Sequence, residues 1–215
     1  MSEAIKTFRI ISRQAAKFAV PSVTQFSKKE DPYLILVSCI LSLRTKDKTT
    51  IEAAERLFKA ANTPQKMLRL SRHKLEKLIY PVGFYRNKSK VILGLSRRLI
   101  SDFRGKVPCG LEDLLSLRGV GRKTANLVLG LGFKIPAICV DTHVHRISNR
   151  LGWVKTKDPL GTEEGLKKII PRRYWIGLNT VLVSFGQNIC VPVSPFCGRC
   201  RVNKLCPRRG VGRHR

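Results

Sequence analysis

Four cysteines crowd one stretch, CVPVSPFCGRCRVNKLC: Cys190, Cys197, Cys200 and Cys206, spaced C-x6-C-x2-C-x5-C. Four thiols within seventeen residues, in a segment with two prolines and little periodicity, describe a loop wrapped around a metal centre. Zinc and a [4Fe–4S] cluster both take four cysteine thiolates, and the spacing admits either. A second stretch, LSLRGVGRKTANLVLG over 115–130, turns on glycines and places Lys123 where the turn becomes a helix. An amine is a nucleophile only when neutral; a helix N-terminus, the neighbouring Arg122 and partial burial all favour that form. A third stretch, VDTHVHR (140–146), sets Asp141 where a carboxylate caps the helix that follows. His143 and His145 lie two apart and do not face each other, which suits packing or phosphate contacts and no metal. Cys39 and Cys139 fall in apolar stretches as small core residues, and Cys109 sits in a turn without an assigned role.

The elements that must carry these residues are helical. Ile5, Phe8, Ile11, Ala15 and Phe18 recur at spacings of three and four through 4–18. LILVSCILSL (34–43) reads as a buried helix, and 48–60, 64–79, 87–103, 111–117, 123–132, 143–151, 162–170 and 174–187 as further helices. Turns such as NTPQ, YPVG, GKVPCG and KIPA separate them, and no strand alternation is visible. The pattern predicts an all-α protein of about ten helices. Two segments resemble each other: 74–95 and 111–132 each run helix, short glycine turn, basic helix. In the second, Gly119-Val120-Gly121 brings the backbone within reach of a ligand, and the N-terminus of the next helix favours an anion. This helix-hairpin-helix, flanked by Arg118, Arg122 and Lys123, suits a DNA phosphate held without sequence readout.

Charge points the same way. Forty-two Lys and Arg face fourteen Asp and Glu, a net +28 and a pI near 10.6 in 215 residues. Solubility does not need three cations per anion; a polyanionic partner, nucleic acid, explains the excess. Arg86, Lys88, Lys90, Arg97, Arg98, Arg104 and Lys106 are opposed only by Asp102, and 196–215 holds seven basic residues and no acid. No apolar run approaches the roughly 20 residues of a membrane span, and 1–18 has no signal-peptide core. A soluble, intracellular protein is expected, in a compartment where disulfides are rare.

LRGVGRKTANLVLG, then VDTHVHR, then the four cysteines, together resemble the endonuclease III family of DNA glycosylase/AP lyases, with agreement from about Asp31 to Cys206. The resemblance implies two α-helical domains with a DNA cleft between them: a six-helix domain over 25–136, carrying the hairpin at about 111–132, and a discontinuous domain of 1–24 with 137–215. It implies a [4Fe–4S] cluster on the 190–206 loop in preference to zinc. It matches the family's catalytic lysine to Lys123, which attacks C1′ of a flipped lesion nucleotide, and its catalytic aspartate to Asp141. It also implies two gap-filling loops, LSLRTKD (41–47) and PVGFYRNK (81–88). Bacterial members present glutamine where this chain has Arg44, which can fill the gap by stacking and hydrogen bonding. Val82 and Phe84 are the expected apolar wedges; Gly119, Val120, Gly121, Arg122, His143, Arg199 and Lys204 the expected phosphate contacts. The implied protein is a monomer acting on double-stranded DNA with damaged pyrimidines or abasic sites, cytoplasmic and nucleoid-associated. Three other readings compete. A monofunctional glycosylase of the same superfamily lacks the lysine, a non-catalytic DNA binder has no use for Asp141, and a metal nuclease wants clustered carboxylates that fourteen scattered acids do not offer.

Overall fold

The structure of the protein is a computed structural model that describes residues 2–27 and 30–215, and no strand occurs among the described residues. The chain divides into two compact units, Met1–Pro21 with Pro136–Arg215, and Ser22–Ile135.

In the Ser22–Ile135 unit the organising element is α3 (Pro32–Ser42). Asp31 caps it, its Oδ1 accepting from Tyr33 N at 2.8 Å and Leu34 N at 3.3 Å, and Pro32 fixes the first turn. Beyond that cap every residue from Tyr33 to Leu41 is buried, as a helix apolar all round must be. Removing one such side chain, as in Leu36→Ala, costs about 2–5 kcal/mol. Around it lie α2 (Ser22–Phe26), α4 (Asp47–Ala60), α5 (Pro64–Leu68), α6 (Arg72–Ile79), α7 (Tyr85–Phe103), α8 (Leu111–Ser116) and α9 (Arg122–Leu127), the last running on as a π-helical turn over Val128–Gly132. Among the described residues of this unit there are eight α-helical segments, several of them of only five or six residues. The continuous helix expected over 64–79 splits because Thr63 and Ser71 each cap a new start, accepting from Lys66 N and Lys74 N at 3.2 Å. The short α2 carried too few turns to show a period.

In the other unit, α1 (Glu3–Ala15) packs its Phe8, Ile11 and Ala15 stripe against α12 (Trp175–Asn188). α10 (Thr142–Arg150) and α11 (Pro159–Ile169) complete that core through Val144, Ile147 and Leu166. Phe8 also meets Trp153 and Tyr174 edge-on, with centroids 6.4 and 5.5 Å away. Residues 189–215 are loop with single 3₁₀ turns, held by side chains more than by backbone ladders. No described helix is long and apolar enough to cross a membrane.

Candidate nucleic-acid interface and active site

The hairpin turn contains two glycines with different reasons for being glycine. Gly119 has φ +86°, and a Cβ there would lie 2.6 Å from Val91 Cγ1, so conformation and packing both demand it. Gly121 has φ −96°, and nothing lies within 4 Å of where its Cβ would stand. Nothing inside the protein requires glycine at 121, and its bare backbone faces open space at the start of α9, an approach suited to a phosphate oxygen. Between them, Val120 is 6% exposed and its N–H donates to Leu117 O at 3.0 Å. Its expected DNA contact is thus corrected: Val120 anchors the turn to the core. Arg118 is exposed and Arg122 half-buried.

Lys123 follows in the first turn of α9, half-buried above α3. Its charge is felt by Cys39: burial pushes that thiol up to about 12, and Lys123 pulls the other way.

The 43–46 loop and the 80–84 turn, both in the Ser22–Ile135 unit, meet closely. A Cβ on Gly83 would lie 2.7 Å from Arg44 O, and Gly83 N donates to Thr45 Oγ1 at 3.2 Å. Arg44 and Phe84 both hold left-handed backbones, φ +51° and +58°, and the Arg44 guanidinium lies 5.8 Å from the Phe84 ring centroid. Phe84 is 63% exposed, with Tyr80 and Leu43 also exposed beside it. Val82, expected as a second wedge, is 1% exposed. Its side chain fills the core beneath the turn and cannot reach a base without unfolding it, so that expectation is corrected.

In the other unit, Asp141 caps α10, and its Oδ1 accepts from His143 N and Val144 N at 2.9 Å each. One carboxylate oxygen is so held, and the half-buried group keeps its second oxygen for other work. His143 Nδ1 lies 3.2 Å from Arg146 Nη2, against Gly186, and His145 Nδ1 lies 2.7 Å from Thr162 Oγ1. Both rings thus have partners in the fold.

Cys190, Cys197, Cys200 and Cys206 line one apolar cavity of about 30 Å³. All seven cysteines are free thiols, and no group of three or more His, Cys, Asp or Glu among the described residues converges on a single-ion site. Burial pushes the Cys200 thiol up to about 11, with charge on the other three adding to it; burial and Cys190 likewise raise Cys197 and Cys206. In those three thiols burial and neighbouring sulfur charge disfavour the thiolate, a cost that a cation among the sulfurs would offset. Donors already face the sulfurs: Arg150 Nη1 lies 3.4 Å from Cys190 Sγ, and Arg208 N 3.4 Å from Cys206 Sγ. The residue set fits a thiolate-bound metal group.

Sequence reasoning passed over Arg146 and Arg150, four apart on the inner face of α10. They grip the cysteine loop through the carbonyls of Cys190, Val191 and Pro192 at 2.6–2.8 Å. A pair of cations on the apolar side of a helix was the available signal. The basic tail is partly structural too. Arg215 stacks 4.0 Å over Phe196 and exchanges backbone bonds of 2.8 Å with Pro195 and Gly198. Arg199 and Lys204 remain exposed, Arg199 lying 5.6 Å from the Phe196 ring centroid.

The model of the HhH-GPD superfamily base excision DNA repair proteins matches residues 37–172. Endonuclease III of Thermotoga maritima is 49% identical over 188 residues, 86% of this chain and 88% of that protein. Endonuclease III homolog 2, chloroplastic, of Arabidopsis thaliana is 41% identical over 83% of this chain, which spans about half of that longer protein. A solved trapped endonuclease III–DNA covalent intermediate aligns with a TM-score of 0.78 and 37% identity over 83% of this chain and 84% of that one.

Proposed function

We infer the chemistry from one premise: the chain belongs to the HhH-GPD superfamily of base excision DNA repair proteins, and within it to the endonuclease III family. It is a base excision repair enzyme, a bifunctional DNA glycosylase and abasic-site lyase. Its substrate is duplex DNA carrying oxidised pyrimidines or abasic sites, which it meets as a monomer and on which its charge of +28 keeps it, with the chromosome.

Lys123 is the nucleophile. Its neutral amine attacks C1′ of a nucleotide turned out of the stack, and the C1′–N bond to the base breaks as the base leaves. The lone pair on the lysine nitrogen then opens the sugar ring at C1′–O4′, the O4′ oxygen taking a proton, and the iminium so formed acidifies the 2′ hydrogen; that proton departs and the electron pair expels the 3′ phosphate. Asp141 steadies positive charge developing at C1′ and assists proton transfer with the carboxylate oxygen that capping leaves over. Gly121 admits a backbone phosphate, with Gly119 shaping the turn and Arg122, His143, Arg199 and Lys204 adding contacts to the sugar-phosphate backbone. Phe84 wedges into the duplex and Arg44 fills the vacated space. Cys190, Cys197, Cys200 and Cys206 would hold a [4Fe–4S] cluster, which would supply a rigid charged centre for the 190–206 loop. Iron–sulfur is favoured over zinc by the endonuclease III kinship.

The observation that carries this reading is Lys123 standing half-buried two residues after a glycine that no internal packing explains. Incubation with thymine-glycol or abasic duplex followed by borohydride should give a covalent adduct that vanishes in Lys123→Gln. An unchanged adduct in the variant would displace Lys123, and no adduct with no base release would leave a DNA binder. A brown protein containing iron supports the cluster; a colourless zinc protein refutes it.

A further inference from the structure

Lys88 is 5% exposed, although lysine is almost never buried unless paired. It stands in the first turn of α7, the end of a helix that disfavours a cation. Its Nζ reaches instead to the C-terminal end of α3. There it donates to Leu41 O at 2.8 Å, to Leu43 O, and to Thr45 Oγ1 at 3.0 Å. Two carbonyls and a hydroxyl oxygen give the three ammonium hydrogens three acceptors. Burial lowers this lysine to about 8, which leaves it charged at neutral pH.

The contacts join two segments more than forty residues apart. Leu43 and Thr45 belong to the loop that carries Arg44, and Lys88 opens the helix that follows Phe84. Thr45 Oγ1 ties the node to Gly83 as well. Arg44 and Phe84 face each other above it, both in a backbone region that residues with a Cβ avoid. Without the ammonium, the buried carbonyl at 41 and the part-buried one at 43 would lose a charged donor and the two left-handed residues their common support.

We propose that Lys88 is a positioning residue for duplex entry, its ammonium locking the 43–46 loop and the 80–84 turn into one wedge that presents Arg44 and Phe84 together. The inference rests on the reading of these loops as the elements that enter DNA. A purely structural lysine would affect all substrates alike. A wedge lock affects only substrates with stacked bases to part, since a single strand has no partner strand to separate.

The test measures Lys88→Met on thymine glycol in duplex DNA and on an abasic site in single-stranded DNA. Duplex excision should fall about tenfold or more, from the loss of a charged hydrogen-bond node. Cleavage at the single-stranded abasic site should stay within about twofold of wild type, because Lys123 chemistry needs no wedge. Thr45→Val, which removes one acceptor and the Gly83 link without touching a charge, should show the same split more weakly and carries the test if Lys88→Met does not fold. Parallel loss on both substrates, or loss on neither, overturns the proposal. Wild-type inactivity on the single-stranded abasic site would count instead against the lyase reading.

Discussion

Two segments of the Ser22–Ile135 unit share one plan, helix, glycine turn, basic helix, and put it to opposite uses. In 74–95 the turn pushes an aromatic ring outward, Phe84 at 63% exposure, over a lysine sealed beneath it. In 111–132 the turn keeps its apolar residue, Val120, inside and leaves backbone and a half-buried lysine at the surface. Gly83 and Gly119 are demanded by neighbours, Arg44 O and Val91; Gly121 is demanded by none. Residues explained by internal packing build scaffold. Gly121, in the proposed reading, is where a phosphate approaches the bare backbone.

The comparison can be broken first at its lysines. Lys123→Gln should reduce abasic-site cleavage on the order of a thousandfold or more while DNA affinity and melting temperature hold, since a half-exposed amine carries chemistry and little packing. A large fall in melting temperature there would erase the contrast with Lys88. The glycines come next. Gly119→Ala should destabilise the fold by about 1–3 kcal/mol, read by denaturant titration, because φ +86° and Val91 both oppose a methyl group. Gly121→Ala should leave stability unchanged and weaken DNA binding by about 1 kcal/mol, the worth of one displaced hydrogen bond; equal stability losses would remove the distinction. Smallest is Lys204→Ala on the cysteine loop, expected to lower the slope of log affinity against log salt by about 1 and to leave lesion preference alone.

What could be read from the sequence follows from how local each signal is. α3 was legible because nine successive buried residues need no partner to be recognised. The hairpin was legible because glycine spacing is a backbone property, and the gathering of the four cysteines at one cavity because seventeen residues of loop keep them together. The cap at Asp141 was equally local, a carboxylate just before Thr142-His143-Val144. Val82 and Phe84, two residues apart at one turn, could not be told apart, because which side chain faces inward depends on α3 and the 43–46 loop. Lys88 looked like any member of a basic run; the carbonyls that define it come from residues 41 and 43. The tail read as uniformly DNA-facing cations, whereas Arg215 returns to Phe196 and Pro195. Each miss is a contact distant in sequence.

The central claim is that one amine, at position 123, forms the covalent bond to sugar. The most direct measurement is peptide mapping by mass spectrometry of the wild-type protein after borohydride trapping on abasic duplex. The account predicts the deoxyribose remnant on the peptide containing Lys123 and on no other. Label on the peptide containing Lys88, or on any peptide lacking Lys123, would contradict it.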